Sequence, residues 1–229
     1  MAKERQEDRL LLAKVRSELF SAVLGDVMDA MGLIRQFLPP QIRPLQPDMV
    51  VIGRAMPVLE ADCSGTYVAS QGSSEPFGKM FQALDSLGEN DVYVCTGSSP
   101  TYALWGELMS TRAGKLGAVG AVVNGFSRDT RGVLDLGFPV FSWGSYGQDQ
   151  GVRGRVIDYG CPIEFPNGVV VEPGDIVFGD IDGVVAIPKR VEQEVIEAAL
   201  EKVRGENNVR KELESGESAT SVFKKYGIM

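Results

Sequence analysis

Histidine is absent from all 229 residues of this chain. Its absence removes Ser-His-Asp and Cys-His nucleophiles, the usual imidazole general base, and nearly every zinc site outside all-cysteine ones. Cysteine is scarce. Cys63, Cys95 and Cys161 are isolated, so no CxxC metal or redox pair exists. An odd count with no signal peptide is expected of a reduced, cytoplasmic protein, and each cysteine reads as a small buried apolar residue. Basic blocks are lacking too. With a net charge of −8, the chain is a poor partner for nucleic acid or an anionic membrane. No apolar run approaches the roughly 20 residues needed to span a bilayer. Carboxylate, arginine and lysine chemistry remains, and that points to a hard metal ion.

What the sequence does hold fits a soluble enzyme. Its length suits one generous domain or two small ones, and 44% hydrophobic residues can build a full core. Its 27 glycines suit many short strands joined by tight turns. Glu4 to Met31 reads as helical, with Leu10, Leu11, Val15 and Leu19 on one face and Gly32 as a cap. Strands are expected at Val50–Leu59, Asp91–Thr96, Val119–Val123, Pro139–Trp143, Arg155–Tyr159 and Pro162–Phe165. The segment NGVVVEPGDIVFGDIDGVVAIP reads as a β-meander. Pro188 opens a long helix that Gly205 weakens or kinks, and the helix stops near Gly216. In the tail, Val222, Phe223 and Tyr226 provide a docking surface. The pattern predicts one α+β domain over residues 1–229, with helical ends at 1–32 and 188–229 that reach neighbouring subunits.

The most informative stretch is GELMSTRAGKLGAVGAVVNGFSRD, from Gly106 to Asp129. Leu108, Met109, Ala113 and Leu116 recur at helical spacing, and Gly117 stops the helix. An apolar strand follows and closes at the turn pair Asn124-Gly125. A ten-residue helix spans roughly 15 Å, about the length of the strand. If the strand doubles back, Glu107 and the Arg128-Asp129 pair meet at the helix N-terminus, where free N–H groups favour anions. Two carboxylates, a guanidinium and backbone donors then surround one point, as in an active site.

With the segments LGFPVFSWG and VEPGDIVFGDIDGVVAIP, this string resembles the RraA-like family over roughly residues 20 to 215. The family includes class II 4-hydroxy-4-methyl-2-oxoglutarate aldolases, which also decarboxylate oxaloacetate, and regulators of ribonuclease E activity. Some members are labelled demethylmenaquinone methyltransferases. The resemblance implies a three-layer β/β/α swivelling-domain fold, a homotrimer or dimer of trimers, and a divalent-metal site at the Arg-Asp pair. Its aldolase pattern is an acidic residue, twenty positions, then Arg-Asp, which Glu107, Arg128 and Asp129 match. Many aldolases have aspartate first, so Glu107 is one methylene longer. The resemblance also implies an outer-shell glutamate from a neighbouring subunit's C-terminal helix, with Glu206 the best match and Glu201 the alternative.

The constellation suits cleavage of a C–C bond in a small anionic 2-keto acid. The leaving enolate concentrates the barrier in developing negative charge, which Mg²⁺ or Mn²⁺ can absorb. Asp129 is the expected direct ligand, and Arg128 is expected to pair with substrate oxygens. The N–H groups of Leu108 and Met109 are the expected substrate carboxylate cradle, Gly106 and Glu107 are also expected at the substrate, and Glu107 would position a metal-bound water or act as acid–base group.

Blander readings compete. Arg-Asp after a strand is commonly a surface ion pair, and Glu107 alone is ordinary first-turn charge. Asp175, Asp180 and Asp182 fall at hairpin turns, where turn chemistry explains them. Trp105 and Tyr102 read as packing residues. The stretch SSEPFGKM fails as a phosphate loop on spacing and on Met80. The alternative function is a protein-binding regulator without catalysis, which would not need the Arg128-Asp129 pair. A methyltransferase lacks its glycine-rich loop and ribose carboxylate here.

Overall fold

The computed structural model describes residues 2–63 and 77–227. The apolar stretch expected over Val50–Leu59 forms the central strand β2 (Val51–Asp62). Beside it lie three parallel neighbours, β3 (Asp91–Thr96), β5 (Gly120–Val123) and β7 (Val140–Ser142). On the other side run β11 (Ile176–Asp180), antiparallel to β2, and β12 (Gly183–Ile187), antiparallel to β11, while β1 (Arg43–Pro44) pairs with β7. The order is therefore β1-β7-β5-β3-β2-β11-β12, with β8 (Gly154–Tyr159) pairing the far end of β2.

Alternation along these strands sends side chains to two faces. On one face Val51, Ala55, Val94, Val122, Phe141 and Val177 are fully enclosed, together with Phe165 and Val171 from the short pair β9 (Ile163–Glu164) and β10 (Val170–Val171). The sheet curls around them. A Cβ on Gly179 in β11 would lie 3.0 Å from the Phe141 ring in β7, although these strands are not neighbours. The β/β part of the expected layering is thus one sheet folded nearly into a barrel.

Helices cover the outside in two groups. Around Ile52, Phe178 and Ile187 pack α1 (Ala2–Glu18), α2 (Ser21–Ala30) and α6 (Glu192–Glu214). Around Tyr93, Cys95 and Val123 pack α3 (Met80–Asp85), α4 (Glu107–Leu116) and α5 (Thr130–Asp135). Arg54 of β2 ties the first group together by pairing with Asp8 of α1 and Glu192 of α6. A last helix, α7 (Ala219–Tyr226), buries Val222 and donates from the Tyr226 hydroxyl to Glu212 of α6 at 2.7 Å, whereas Phe223, expected to dock with them, stays exposed.

Several boundaries differ from the expectation. The N-terminal helix is two helices, because Asp180 accepts from the Ser21 N–H at 2.8 Å and its hydroxyl at 2.6 Å. A new helix starts where its first donors are satisfied from β11. The meander is interrupted, since β10 pairs back with β9 while β11 and β12 form a separate hairpin. Asp175 holds that break by accepting from the N–H groups of Glu172 and Lys189 at 2.9 and 2.8 Å, so its role is turn chemistry. Helix α6 runs unbroken through Gly205, because burial of Val195, Ala199, Leu200 and Val209 offsets the roughly 1 kcal/mol that glycine costs. Only Cys95 is fully buried; Cys63 and Cys161 are half-buried, and all three are free. Among the described residues no helix is long and apolar enough to cross a membrane.

Candidate active site

Helix α4 begins at Glu107, and the first N–H bonded back into it is that of Ser110, to the Gly106 carbonyl at 3.0 Å. The N–H groups of Glu107, Leu108 and Met109 come before that bond and form the open end of the helix. Strand β4 (Ala103–Trp105) leads into this end and pairs in parallel with β6 (Phe126–Ser127). The pairing continues one residue further, where the Arg128 N–H donates to the Trp105 carbonyl at 2.9 Å. Helix α4 and β5 therefore run out and back, and Arg128-Asp129 returns to the helix start.

Gly106 is where they converge. A Cβ there would stand 2.9 Å from Asp129 Oδ2 and 3.4 Å from Arg128 Cγ. Asp129 has a left-handed backbone, φ 55° and ψ 35°, which is uncommon outside glycine. It occupies the cap position of α5 but makes no capping hydrogen bond, and its side chain is 46% exposed. That carboxylate is left open to a ligand. Arg128 Nε lies 3.5 Å from it.

Glu107 arrives at the same end but turns away. Its carboxylate rests over α5, where a Cβ on Gly132 would meet Oε2 at 2.3 Å, and it does not line the cavity at Gly106. Glu201 and Glu206 lie on α6, in the other helical group, and neither lines that cavity. Trp105 is buried, stacks on Phe138 at 6.0 Å and donates from its indole to Ser110 Oγ at 2.7 Å, so it is chiefly a packing residue. The sequence from Cys63 to Leu87 is the least like the family and is expected to shape the pocket; its residues 64–76 fall outside the described residues.

Three polar residues were not singled out from the sequence. Asp149 accepts from Arg128 Nη1 at 2.7 Å and, through its other oxygen, from the Gly151 N–H at 2.9 Å. Gln150 lines the cavity and donates at 2.7 Å to Glu60, a carboxyl only 2% exposed behind it. Burial, and secondarily the charge of Asp62, pushes the Glu60 carboxyl up to about 8. Its signal was present. Glu60 shares the helix-facing register of Val58, just past a bulge in the β2–β8 pairing. Asp149 left no such signal, because SYGQDQG reads only as a polar turn.

The cavity measures about 310 Å³, near the lower end for small-molecule sites. Its polar end carries Gly106, Arg128, Asp129, Asp149 and Gln150. Among the described residues no three acidic, histidine or cysteine side chains gather into a metal cage. One open carboxylate, Asp129, fits Mg²⁺, a cation that fills most positions with water and substrate oxygen.

A family model described as RraA-like: Aldolase/RraA matches residues 22–186. Protein DlpA of Legionella pneumophila is 28% identical over 207 residues, 90% of this chain; the chain spans only 32% of that relative's length. A Halalkalibacterium halodurans protein named "Putative 4-hydroxy-4-methyl-2-oxoglutarate aldolase" is 31% identical over 183 residues, covering 78% of this chain and 77% of its own. A solved Streptomyces coelicolor structure, RraAS2, is described as an unusual member of the RNase ES inhibitor RraA protein family. It superposes with a TM-score of 0.74 at 23% identity, over 87% of this chain and 95% of that one, and shows the shared fold.

Proposed function

The chain belongs to the RraA-like family, and from that premise we propose that it is a divalent-metal-dependent lyase that releases pyruvate from a small 2-keto acid. The observation that carries this reading is the convergence of Arg128, an uncommitted Asp129 and the N-terminus of α4 on Gly106. An aldolase name on a relative 31% identical supports it.

Each residue has a physical task. The N–H groups of Leu108 and Met109 would hold the substrate carboxylate at the positive end of α4. Asp149 fixes one edge of the Arg128 guanidinium, so its remaining donors are presented to substrate oxygens in a set plane. Asp129 would hold the cation, whose chemistry when bound is to draw electron density from the keto oxygen as the C–C bond breaks. Glu107, exposed and outside the cavity wall, would act on a proton through water rather than on the substrate directly. In an assembled trimer or dimer of trimers, Glu206 or Glu201 would have to come from a neighbouring subunit, since α6 packs elsewhere in its own protomer.

The test is pyruvate release from a panel of 2-keto acids that includes oxaloacetate and 4-hydroxy-4-methyl-2-oxoglutarate. Activity is expected with Mg²⁺ or Mn²⁺ and none after EDTA treatment; turnover that persists under full chelation would refute the metal dependence. Arg128→Lys is expected to lower kcat/KM about tenfold to a hundredfold, because an ammonium cannot bond Asp149 and substrate in one plane. Steady-state kinetics at saturating metal checks it.

A further inference from the structure

Besides its polar groups, the cavity has an apolar wall that the proposed chemistry does not use. Phe77, Phe81 and Leu84 come from α3 and the residues leading into it, and Leu108 and Met109 from the first turn of α4. Phe77 and Phe81 pack edge to face at 5.5 Å. Phe81 is 56% exposed and Leu108 82%, so two large apolar side chains stand open at the lips of the pocket that holds Arg128. Open apolar surface at a concave site is unfavourable unless a ligand covers it.

Charge narrows the ligand further. Among the described residues, Arg128 is the one cation lining the cavity, and Asp149 at 2.7 Å and Asp129 at 3.5 Å already face it. The basic residues flanking the wall are engaged outside it. Lys79 pairs with Asp158 at 2.9 Å, and Arg112 with Asp85 at 2.8 Å. A substrate with one carboxylate is accommodated at the α4 N-terminus. A second carboxylate against that wall would sit on aromatic and aliphatic carbon with no counter-charge among the described lining residues, at high desolvation cost.

We infer that the substrate is a monocarboxylate whose C4 substituent is apolar: a 4-aryl- or 4-alkyl-4-hydroxy-2-oxobutanoate. The polar end takes the 2-keto acid head, and the Phe77–Phe81–Leu108 wall takes the tail. Cleavage breaks C3–C4. The C4 hydroxyl gives up its proton and becomes the carbonyl of an apolar aldehyde. The C3–C4 electron pair goes to the pyruvate enolate, which is then protonated at C3. No oxidant or reductant is needed. The inference rests on the lyase reading for the reaction, but the apolar subsite can be tested apart from turnover.

Binding of two unreactive acids, 2-oxo-4-phenylbutanoate and 2-oxoglutarate, is measured by calorimetry with Mg²⁺ present. Burial of the phenyl group is expected to favour the first about tenfold to a hundredfold. Any ratio under tenfold overturns the inference, including the case in which a second copy of the chain covers the wall. Phe81→Lys places a cation on an exposed lip and is expected to reduce that ratio at least fivefold, whereas Phe81→Leu retains it. An unchanged ratio in Phe81→Lys also overturns the inference. Pyruvate release from 4-hydroxy-2-oxo-4-phenylbutanoate should likewise exceed that from 4-hydroxy-4-methyl-2-oxoglutarate in kcat/KM, and the reverse order counts against the apolar tail alone. No pyruvate from any acid refutes the lyase reading, while the binding ratio still decides the subsite.

Discussion

Asp129→Asn is expected to lower metal-dependent pyruvate release at least about a thousandfold, roughly 4 kcal/mol of transition-state stabilisation. Asparagine suits the experiment because the backbone at this position is left-handed, with φ 55°. Asparagine tolerates that conformation, whereas alanine would add strain unrelated to chemistry. The substitution removes one negative charge from a side chain that caps no helix, so the unfolding midpoint should change little. Loss of rate without loss of stability separates a ligand to the cation from an ordinary surface ion pair. An exposed Arg128–Asp129 bridge at 3.5 Å would be worth well under 1 kcal/mol and nothing catalytically. A variant that keeps a wild-type rate would place the chemistry elsewhere.

Much of this arrangement could be read from local pattern. The bounds of β3 and α4 follow from alternation and from a glycine stop, both of which are short-range signals. The meeting of Arg128-Asp129 with the α4 N-terminus follows from equal lengths of helix and strand. The orientation of Glu107 does not follow, because it depends on an open space above Gly132, twenty-five positions along the chain. The split between α1 and α2 was hidden for a similar reason. Leucine and valine periodicity continues across it, and the carboxylate that breaks it comes from Asp180, far away in sequence. Asp149 reached Arg128 through a loop, where spacing carries no geometric information. The apolar wall was visible only as a stretch: Phe77, Phe81 and Leu84 lie within Cys63 to Leu87, the segment expected to shape the pocket, but spacing does not say which of its residues face a cavity and which the core.

Glu60→Gln is expected to make the protein more stable at pH 8 by roughly 4 kcal/mol, and to change it little near pH 5. Glu60 is enclosed on the helix-facing side of β2, where burial raises its carboxyl from 4.5 to about 8. Between those values the folded protein keeps the proton and the unfolded chain has lost it. Stability then falls as pH rises across that window, since the unfolded state binds fewer protons. Below about 4.5 both states are protonated and nothing is lost; above about 8 both are ionised and the full loss is reached. Glutamine is neutral throughout, nearly isosteric, and still offers an oxygen to the Gln150 amide that donates to Glu60 at 2.7 Å. The ionisable groups around this carboxyl are Asp62, Tyr93, Cys95 and Tyr102. Burial pushes Tyr93, Cys95 and Tyr102 up and keeps them neutral, so Asp62 supplies the repulsion. Asp91, also raised by burial, adds a slope of the same sign to both proteins and cancels in their difference. Urea unfolding of the two proteins at several pH values from 5 to 8.5 measures this difference directly. Parallel curves would mean that Glu60 is ionised in the folded protein, with its charge met by solvent that the structure does not admit.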